Sequence, residues 1–477
     1  MPRLCVACAL AMVLIYLLGL SAPAAAADPA PVSFIRDVAP VLQEQCFACH
    51  NGRKKSGKYD MTRFNLLTAG GSSGEPITAG NVAESDFHGL MVTADDRRMP
   101  PRDKGDGVPP ARAALVARWI REGAKLDPGI DPGADLVKEL RARWSPPAPA
   151  AVYAHPPVVN ALAFTPDGQS LVVGGRHELT VWSLPAGKLT RRVRTRAERA
   201  YALLFLKDGT LAVAGGRPGQ EGDVCVYDLN GPGRTDAGVT YLDGVADPKV
   251  KLATLVTCDD AVLCLALSPD RSRLAAGGCD RAVRVWDISN GAKSAKLTHT
   301  AETHTDWVLG VAFSADAKLL ATAGRDKAAK VYDLAANESV LTFPAHNQPV
   351  HAVTFTPDGQ GVISVGADKE LRGWSPTGEG KQTKAGPGHA DEVFRLALHP
   401  ATNTLATASA DKTVRLWDAA KLQPKRTLAG LPDHVYAVAF SPDGTRVAGG
   451  AYTGDVRVWA AADGKVVAAF VAAPGRK

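Results

Sequence analysis

Three patterns of apolar and polar positions follow one another along the chain, and each predicts a different kind of element. Residues 4–20 are continuously apolar except for a glycine, behind a single Arg3. The stretch that opens at Ser33 carries Phe34, Val38, Val41 and Leu42 on one helical stripe, with Ile35 beside it, and residues 111–122 do the same with Leu115, Val116, Trp119 and Ile120. Ser33 is placed to cap the first helix, while Pro109-Pro110 open the second and Gly123 stops it. From residue 152 the pattern becomes short apolar runs separated by turns and followed by an alternating strand; in one unit these runs are 393–398, 404–409 and 413–417. Between the helical and strand regions lie Asp127-Pro128-Gly129, Asp131-Pro132-Gly133, a short helical piece at 136–144 and Pro146-Pro147-Ala148-Pro149. Such a segment reads as turns and a semi-stiff linker. The expected divisions are 1–27, 28–127, 128–151 and 152–477.

The strand region repeats itself. Its units end in an aromatic residue at Trp182, Tyr227, Trp286, Tyr332, Trp374, Trp417 and Trp459, at intervals of 45, 59, 46, 42, 43 and 42 residues. Pro-Asp-Gly recurs as the first turn at 166–168, 357–359 and 442–444. A period near 43 with four short strands reads as one blade of a propeller. The expected fold is therefore multidomain: a small all-α domain followed by an all-β seven-bladed propeller. The interval of 59 hides an insertion within 230–248, whose Gly, Pro and Asp content predicts a loop projecting from one face. Two ways of closing the ring stay open: residues 465–472 as the outer strand of the last blade, or the stretch around Val152.

Composition narrows the function. The chain has 477 residues, with 55 Lys and Arg against 49 Asp and Glu. That small positive balance has no basic block long enough for a phosphate-backbone footprint, so no nucleic-acid partner is expected. Arg3, the apolar run and the small residues Ala25 to Ala27 before Asp28 predict a cleaved secretory signal. The protein is then exported, to the periplasm or cell envelope, and is membrane-bound only if that segment stays attached. Cys5 and Cys8 leave with it. An oxidising compartment permits disulfides among Cys225, Cys258, Cys264 and Cys279, in no fixed pairing; the alternative for Cys258 and Cys279 is unpaired small core residues.

The strongest chemical signal is Cys46-Phe47-Ala48-Cys49-His50. Two thiols at this spacing can add to the two vinyl groups of one porphyrin, and the imidazole that follows is held beneath the iron. This is the attachment pattern of one covalent haem c, with Cys46 and Cys49 binding the cofactor and His50 as proximal iron ligand. A thioredoxin-like pair or half a zinc site would need a strand–helix setting or a second Cys/His pair, and the sequence offers neither. Met99 is the candidate distal ligand, because a thioether stabilises ferrous iron and Pro100 stiffens its loop. Met91, Met61 and His88 are its rivals. Arg53, Lys54 and Lys55 are a solvated loop or a contact for haem propionates or an acidic redox partner.

Residues 34–42, the pentapeptide with Asn51-Gly52, Gly70-Gly71-Ser72-Ser73-Gly74, Met99-Pro100-Pro101 and residues 119–124 resemble the planctomycete-type cytochrome c domain. The resemblance implies one covalent haem with His50 proximal and Met99 distal. The later units resemble WD40 repeats: Arg284-Val285-Trp286-Asp287 and Arg415-Leu416-Trp417-Asp418 carry the name-giving dipeptide. His304, His346 and His389 each stand 22 residues before Asp326, Asp368 and Asp411, and the resemblance implies that each pair is hydrogen-bonded within a blade. Cys258 stands where the third unit would have its histidine. No nucleophile elbow, phosphate-cradling loop or paired-carboxylate pattern stands out, so there are no candidate catalytic residues. The expectation is an electron carrier with redox-partner proteins and a protein docked on the propeller, rather than an enzyme. One alternative is a haem-based sensor or scaffold. Another is a redox enzyme with a second cofactor in the propeller, as in cytochrome cd1 nitrite reductases, whose blades number eight and are of another type.

Overall fold

Ser33 caps a π-helical turn, Phe34–Val38, by accepting a hydrogen bond from the Arg36 backbone N–H at 3.0 Å, and the chain runs on into the α-helix Ala39–Gln45. In this computed structural model the described residues are 30–52, 54–302, 304–343 and 346–475. The expected signal segment, with Cys5 and Cys8, and Arg53 lie outside them. Among the described residues no helix is long and apolar enough to cross a membrane.

The chain divides into two units, one ending at Trp144 and one beginning at Ser145. In the first, the helix Pro110–Arg121 starts at its proline and ends before Gly123, whose φ of +102° a side chain would strain. Its inward face brings Val116, Trp119 and Ile120 against Phe34, Val38 and Leu42. The Phe34 ring lies 4.9 Å from Phe64 and 5.2 Å from Trp119, and the Trp119 indole N–H donates to the Lys125 carbonyl. The helix Leu136–Arg143, capped by Asp135, belongs to this unit: Leu136 is fully buried in the same core, and its N–H donates to the Thr62 carbonyl.

The second unit consists of one nine-stranded and five four-stranded sheets. Each four-stranded sheet is a sequential antiparallel meander, as in Val393–His399, Thr404–Ser409, Val414–Asp418 and Pro424–Leu428. The larger sheet arises because one 18-residue strand, Lys188–Phe205, serves two meanders. Its first part pairs with Arg176–Ser183 and its last part with Leu211–Arg217. The first strands of successive sheets pack side by side, and Val435–Phe440 of the last sheet packs against Leu162–Phe164 of the first. Val466–Val471, within the 465–472 segment, forms the outer strand of the last sheet. The stretch around Val152 instead meets the far end of the chain, where a Cβ on Gly475 would fall 2.7 Å from the Ala151 oxygen and from Val152.

The insertion after Tyr227 is not the projecting loop that its composition predicts. Arg234–Asp236 and Val239–Asp243 form a hairpin, and its second strand lies parallel to Lys188–Phe205, with Arg191 opposite Thr240 and Arg194 opposite Asp243. Leu242 is drawn into the core beside Val193, and the added strand covers an otherwise open sheet edge.

The three repeat histidines are structural. His304, His346 and His389 each present Nδ1 to their aspartate, at 2.9, 2.7 and 2.8 Å, and Nε2 to a buried hydroxyl on Thr322, Ser364 or Thr407. The indoles of Trp374 and Trp417 donate to the same Ser364 and Thr407 oxygens. Cys258, in the histidine's place, stands 22 residues before Asp280 but turns its sulfur to the carbonyls of Asp260 and Gly222. No disulfide links any pair of the six described cysteines. Burial pushes the thiols of Cys258 and Cys264 up, to about 11 and about 12.

Candidate functional site

The last turn after the helix Ala39–Gln45 places the pentapeptide. The Cys46 N–H donates to the Leu42 carbonyl, and the N–H groups of Cys49 and His50 both donate to the Cys46 carbonyl. This turn puts Cys46, Cys49 and His50 on the wall of one cavity of about 590 Å³. Burial, and then the neighbouring Cys49, push the Cys46 thiol up to about 12. The turn is fastened from outside: the Met61 N–H donates to the His50 carbonyl, the Ser56 N–H to the Cys49 carbonyl, and the Asn51 amide to the Phe47 carbonyl.

The glycine-rich segment at 70–74 closes one side. A Cβ on Gly71 would fall 2.5 Å from the Gly57 oxygen and 2.8 Å from the Tyr59 Cβ, so only glycine lets this loop lie against the turn below it. The Ser72 N–H donates to the Gly57 carbonyl across that contact. Tyr59 stands over the His50 ring, with centroids 5.5 Å apart, and its hydroxyl donates to the Leu67 carbonyl.

The wall also holds Met99. Its backbone N–H donates to the Leu90 carbonyl at the end of the helix Asp86–Val92, and the loop beyond it is held by Arg98, whose guanidinium donates to the carbonyls of Gly105 and Asp106. Met99 is 41% exposed, whereas Met61 and Met91 are buried, and all three line the cavity. His88, the third rival ligand, does not line it. Sequence reasoning did not single out Phe87, Arg97 and Lys104, which also line the cavity; Lys54, from the expected solvated loop, stands there too, its ammonium 3.5 Å from the Cys49 sulfur.

The residues present fit a haem. The cavity is of cofactor size and has two thiols in its wall. The His50 Nδ1 is buried with no hydrogen-bond partner among the described residues, a costly state for a ring nitrogen with no further role. Three thioethers also face the same space. Among the described residues no group of three or more His, Cys, Asp or Glu side chains is arranged to hold a metal ion by itself. Any iron here would depend on a macrocycle and on the axial pair.

Comparison with known proteins divides the chain at the same place. Residues 46–103 match the family model of the planctomycete cytochrome C. Residues 149–183, 249–287, 295–333, 337–375, 380–418 and 422–460 match the WD domain, G-beta repeat. The unit ending at Tyr227, which carries the inserted hairpin and shares the long strand, lies outside these matches. Periodic tryptophan protein 2 of Arabidopsis thaliana is 32% identical over 207 residues, covering 43% of this chain and 22% of that protein. Transcription factor unc-37 of Caenorhabditis elegans is 24% identical over 296 residues, 58% of this chain and 44% of that protein. Protein tipD of Dictyostelium discoideum is 24% identical over 370 residues, 74% and 55%. The chain thus spans from about a fifth to about half the length of these relatives.

Proposed function

The chain joins a planctomycete cytochrome c domain to a set of WD40 repeats, and from that premise we propose an exported mono-haem c-type cytochrome that passes single electrons and docks a protein partner on a seven-bladed propeller. The observation that carries the redox half is the convergence of Cys46, Cys49, His50 and Met99 on one cavity. Haem bound there would supply a one-electron iron couple, tuned by its axial ligands. The chain's own residues do the rest. Cys46 and Cys49 would tether the macrocycle, and His50, its carbonyl held by the Met61 N–H, would be the proximal ligand. Met99, anchored at Leu90, would be the distal ligand. Met61, Met91 and Phe87 keep water from that side.

The propeller half is supported by the side-by-side packing of the first strands, which returns from Val435–Phe440 to Leu162–Phe164. WD40 repeats typically bind proteins, so a redox partner or a scaffold protein is the expected occupant of a face. Export rests on the segment at 1–27 and on the need for a compartment in which haem is joined to thiols.

Expression in a host that exports and matures c-type cytochromes tests this reading. The intact mass of the mature chain is expected to exceed the polypeptide by one porphyrin, and the excess is expected to vanish in Cys46→Ala/Cys49→Ala. A mature chain with no added macrocycle overturns it. The exposure of Met99 favours a second reading, a gas or redox sensor with a labile sixth ligand. Rapid carbon monoxide binding by the native ferrous protein would select it.

A further inference from the structure

The β-sheet unit holds a second cavity, of about 170 Å³, along the line where the first strands of the sheets meet. Leu162, Tyr201, Cys264, Gly310, Ala352 and Ala437 are among its lining residues, each from a different strand. Only one ionisable side chain of positive charge enters it, Arg395 of the strand Val393–His399. The guanidinium reaches across to three other strands, donating to the carbonyls of Leu309 at 3.2 Å, Leu263 at 3.1 Å and Tyr201 at 3.5 Å. Among the described residues no carboxylate pairs with it. Its charge therefore meets only neutral dipoles in a confined space, and desolvation by the channel walls holds its pKa below the ordinary arginine value.

An adjoining cleft of about 300 Å³ forms the mouth, lined by Trp307, His351, Phe394 and Tyr436 with Arg395 at its base. The rings form a ladder: Phe394 stacks on Tyr436 at 4.5 Å and on His351 at 5.7 Å, and Tyr436 leads to Tyr452 at 6.3 Å. Tyr452 is 53% exposed, so the ladder runs beyond the cleft onto the surface. Arg325 lies over the Trp307 ring at 4.5 Å on the other side.

We propose that this channel mouth is a binding site for the carboxylate of a Glu or Asp side chain, presented by an extended peptide segment of a partner protein and flanked there by apolar residues. The proposal deepens the docking reading of the propeller and rests on it. One monovalent guanidinium matches one carboxylate in charge, and the N–H groups not engaged by the carbonyls of Leu309, Leu263 and Tyr201 are left to donate to it. A phosphate dianion would keep half its charge unanswered. The aromatic ladder extends past the cavity, so a small free acid would leave most of it uncovered, whereas neighbours in a peptide would cover it.

The test uses the full haem-loaded chain, with acetyl-Gly-Phe-Glu-Phe-Gly-amide and its Gln counterpart as calorimetric probes, and sodium benzoate and benzamide as small-molecule arms. The Glu peptide is expected to bind about tenfold or more tightly than the Gln peptide. Arg395→Gln is expected to erase that difference, and Tyr436→Ala to weaken both peptides. If Arg395→Gln does not fold, the Glu–Gln contrast on the native protein, with displacement of the Glu peptide by benzoate but not by benzamide, decides the matter alone. Equal binding of the two peptides, no binding, or an Arg395→Gln protein that binds like the native one overturns the proposal. Benzoate binding more tightly than the peptide replaces the peptide with a small acid. The covalent haem is read separately by mass, so its absence and the failure of this site are distinguishable.

Discussion

Thr407 is the point at which one four-stranded sheet can be weakened by a single oxygen atom. Its hydroxyl lies 2.6 Å from the His389 Nε2 and 2.8 Å from the Trp417 Nε1, and Thr407 and Trp417 are fully buried. Burial pushes the His389 pKa down, against the opposing pull of Asp411, so the ring is neutral near pH 7. The Asp411 pKa lies below the usual carboxylate range: burial raises it, and the hydrogen bonds from Thr413 and His389 more than reverse that. The carboxylate therefore accepts a hydrogen bond from Nδ1–H, Nε2 accepts from the Thr407 hydroxyl, and the hydroxyl oxygen accepts from the indole N–H. Thr407→Val keeps the branched shape and removes the bridge, which strands one buried acceptor and one buried donor. At about 1–3 kcal/mol each, the expected loss is about 3 kcal/mol. For a unit of about 330 residues, at about 2 cal/mol/K of unfolding entropy per residue, that lowers the melting temperature by about 4 °C. Far-UV circular dichroism of the strand signal measures it, with Thr427→Val on the exposed outer strand Pro424–Leu428 as the neutral control. A shift under about 1 °C would refute the bridging role. So would strict additivity with Trp417→Phe, since two groups that share one oxygen must couple.

Three further outcomes follow from the same coordinates. Met99→Ala is expected to lower the reduction potential of the haem-loaded protein and to open the ferrous iron to carbon monoxide; an unchanged potential in a voltammetric titration would move the distal role to Met61 or Met91. Glu178 and Arg192 form a bidentate pair at 2.7 and 3.0 Å with almost no exposure. Glu178→Gln leaves a buried guanidinium with half its partner, and is expected to cost about 3–5 kcal/mol in urea unfolding, against under 1 kcal/mol for the exposed pair broken by Asp95→Asn. Acid is expected to loosen the four-stranded sheets in two stages. Burial lowers the folded-state pKa of His304 and His389, so the unfolded chain binds more protons below about 6.5 and stability falls from there downward. The lowered Asp326 and Asp411 add a second loss below about pH 4. Melting curves from pH 8 to pH 3 check both stages, and a stability that rises between pH 6.5 and 5 would contradict the first.

Much of this was written locally. The thiols and imidazole of Cys46-Phe47-Ala48-Cys49-His50 lie within one turn, so their common wall of the cavity follows from backbone geometry alone. The helix stripes through Phe34 and Trp119, with their caps at Ser33 and stops at Gly123, are of the same kind. So are the His–Asp pairs, because a constant spacing of 22 residues spans two paired strands and returns to the same level of a blade. The inserted hairpin was misread for a physical reason. Gly, Pro and Asp dominate the composition of 230–248, but Thr240, Tyr241 and Leu242 suffice for a strand once a long neighbour offers an open edge.

Short-range pattern thus carried the Cys46–His50 turn and the helical unit, since each depends on residues a few turns apart, and the recurrence of turns and aromatics carried the repeat period. Assembly settled the rest. It brought Met61, Met91 and Met99 around one space, fused two meanders through Lys188–Phe205, and placed Thr407 between an imidazole and an indole. It also aimed Arg395 at carbonyls 86, 132 and 194 residues away. The repeat period puts these carbonyls at near-equivalent positions of other units, but only the side-by-side packing of the sheets brings them within a hydrogen bond of one side chain.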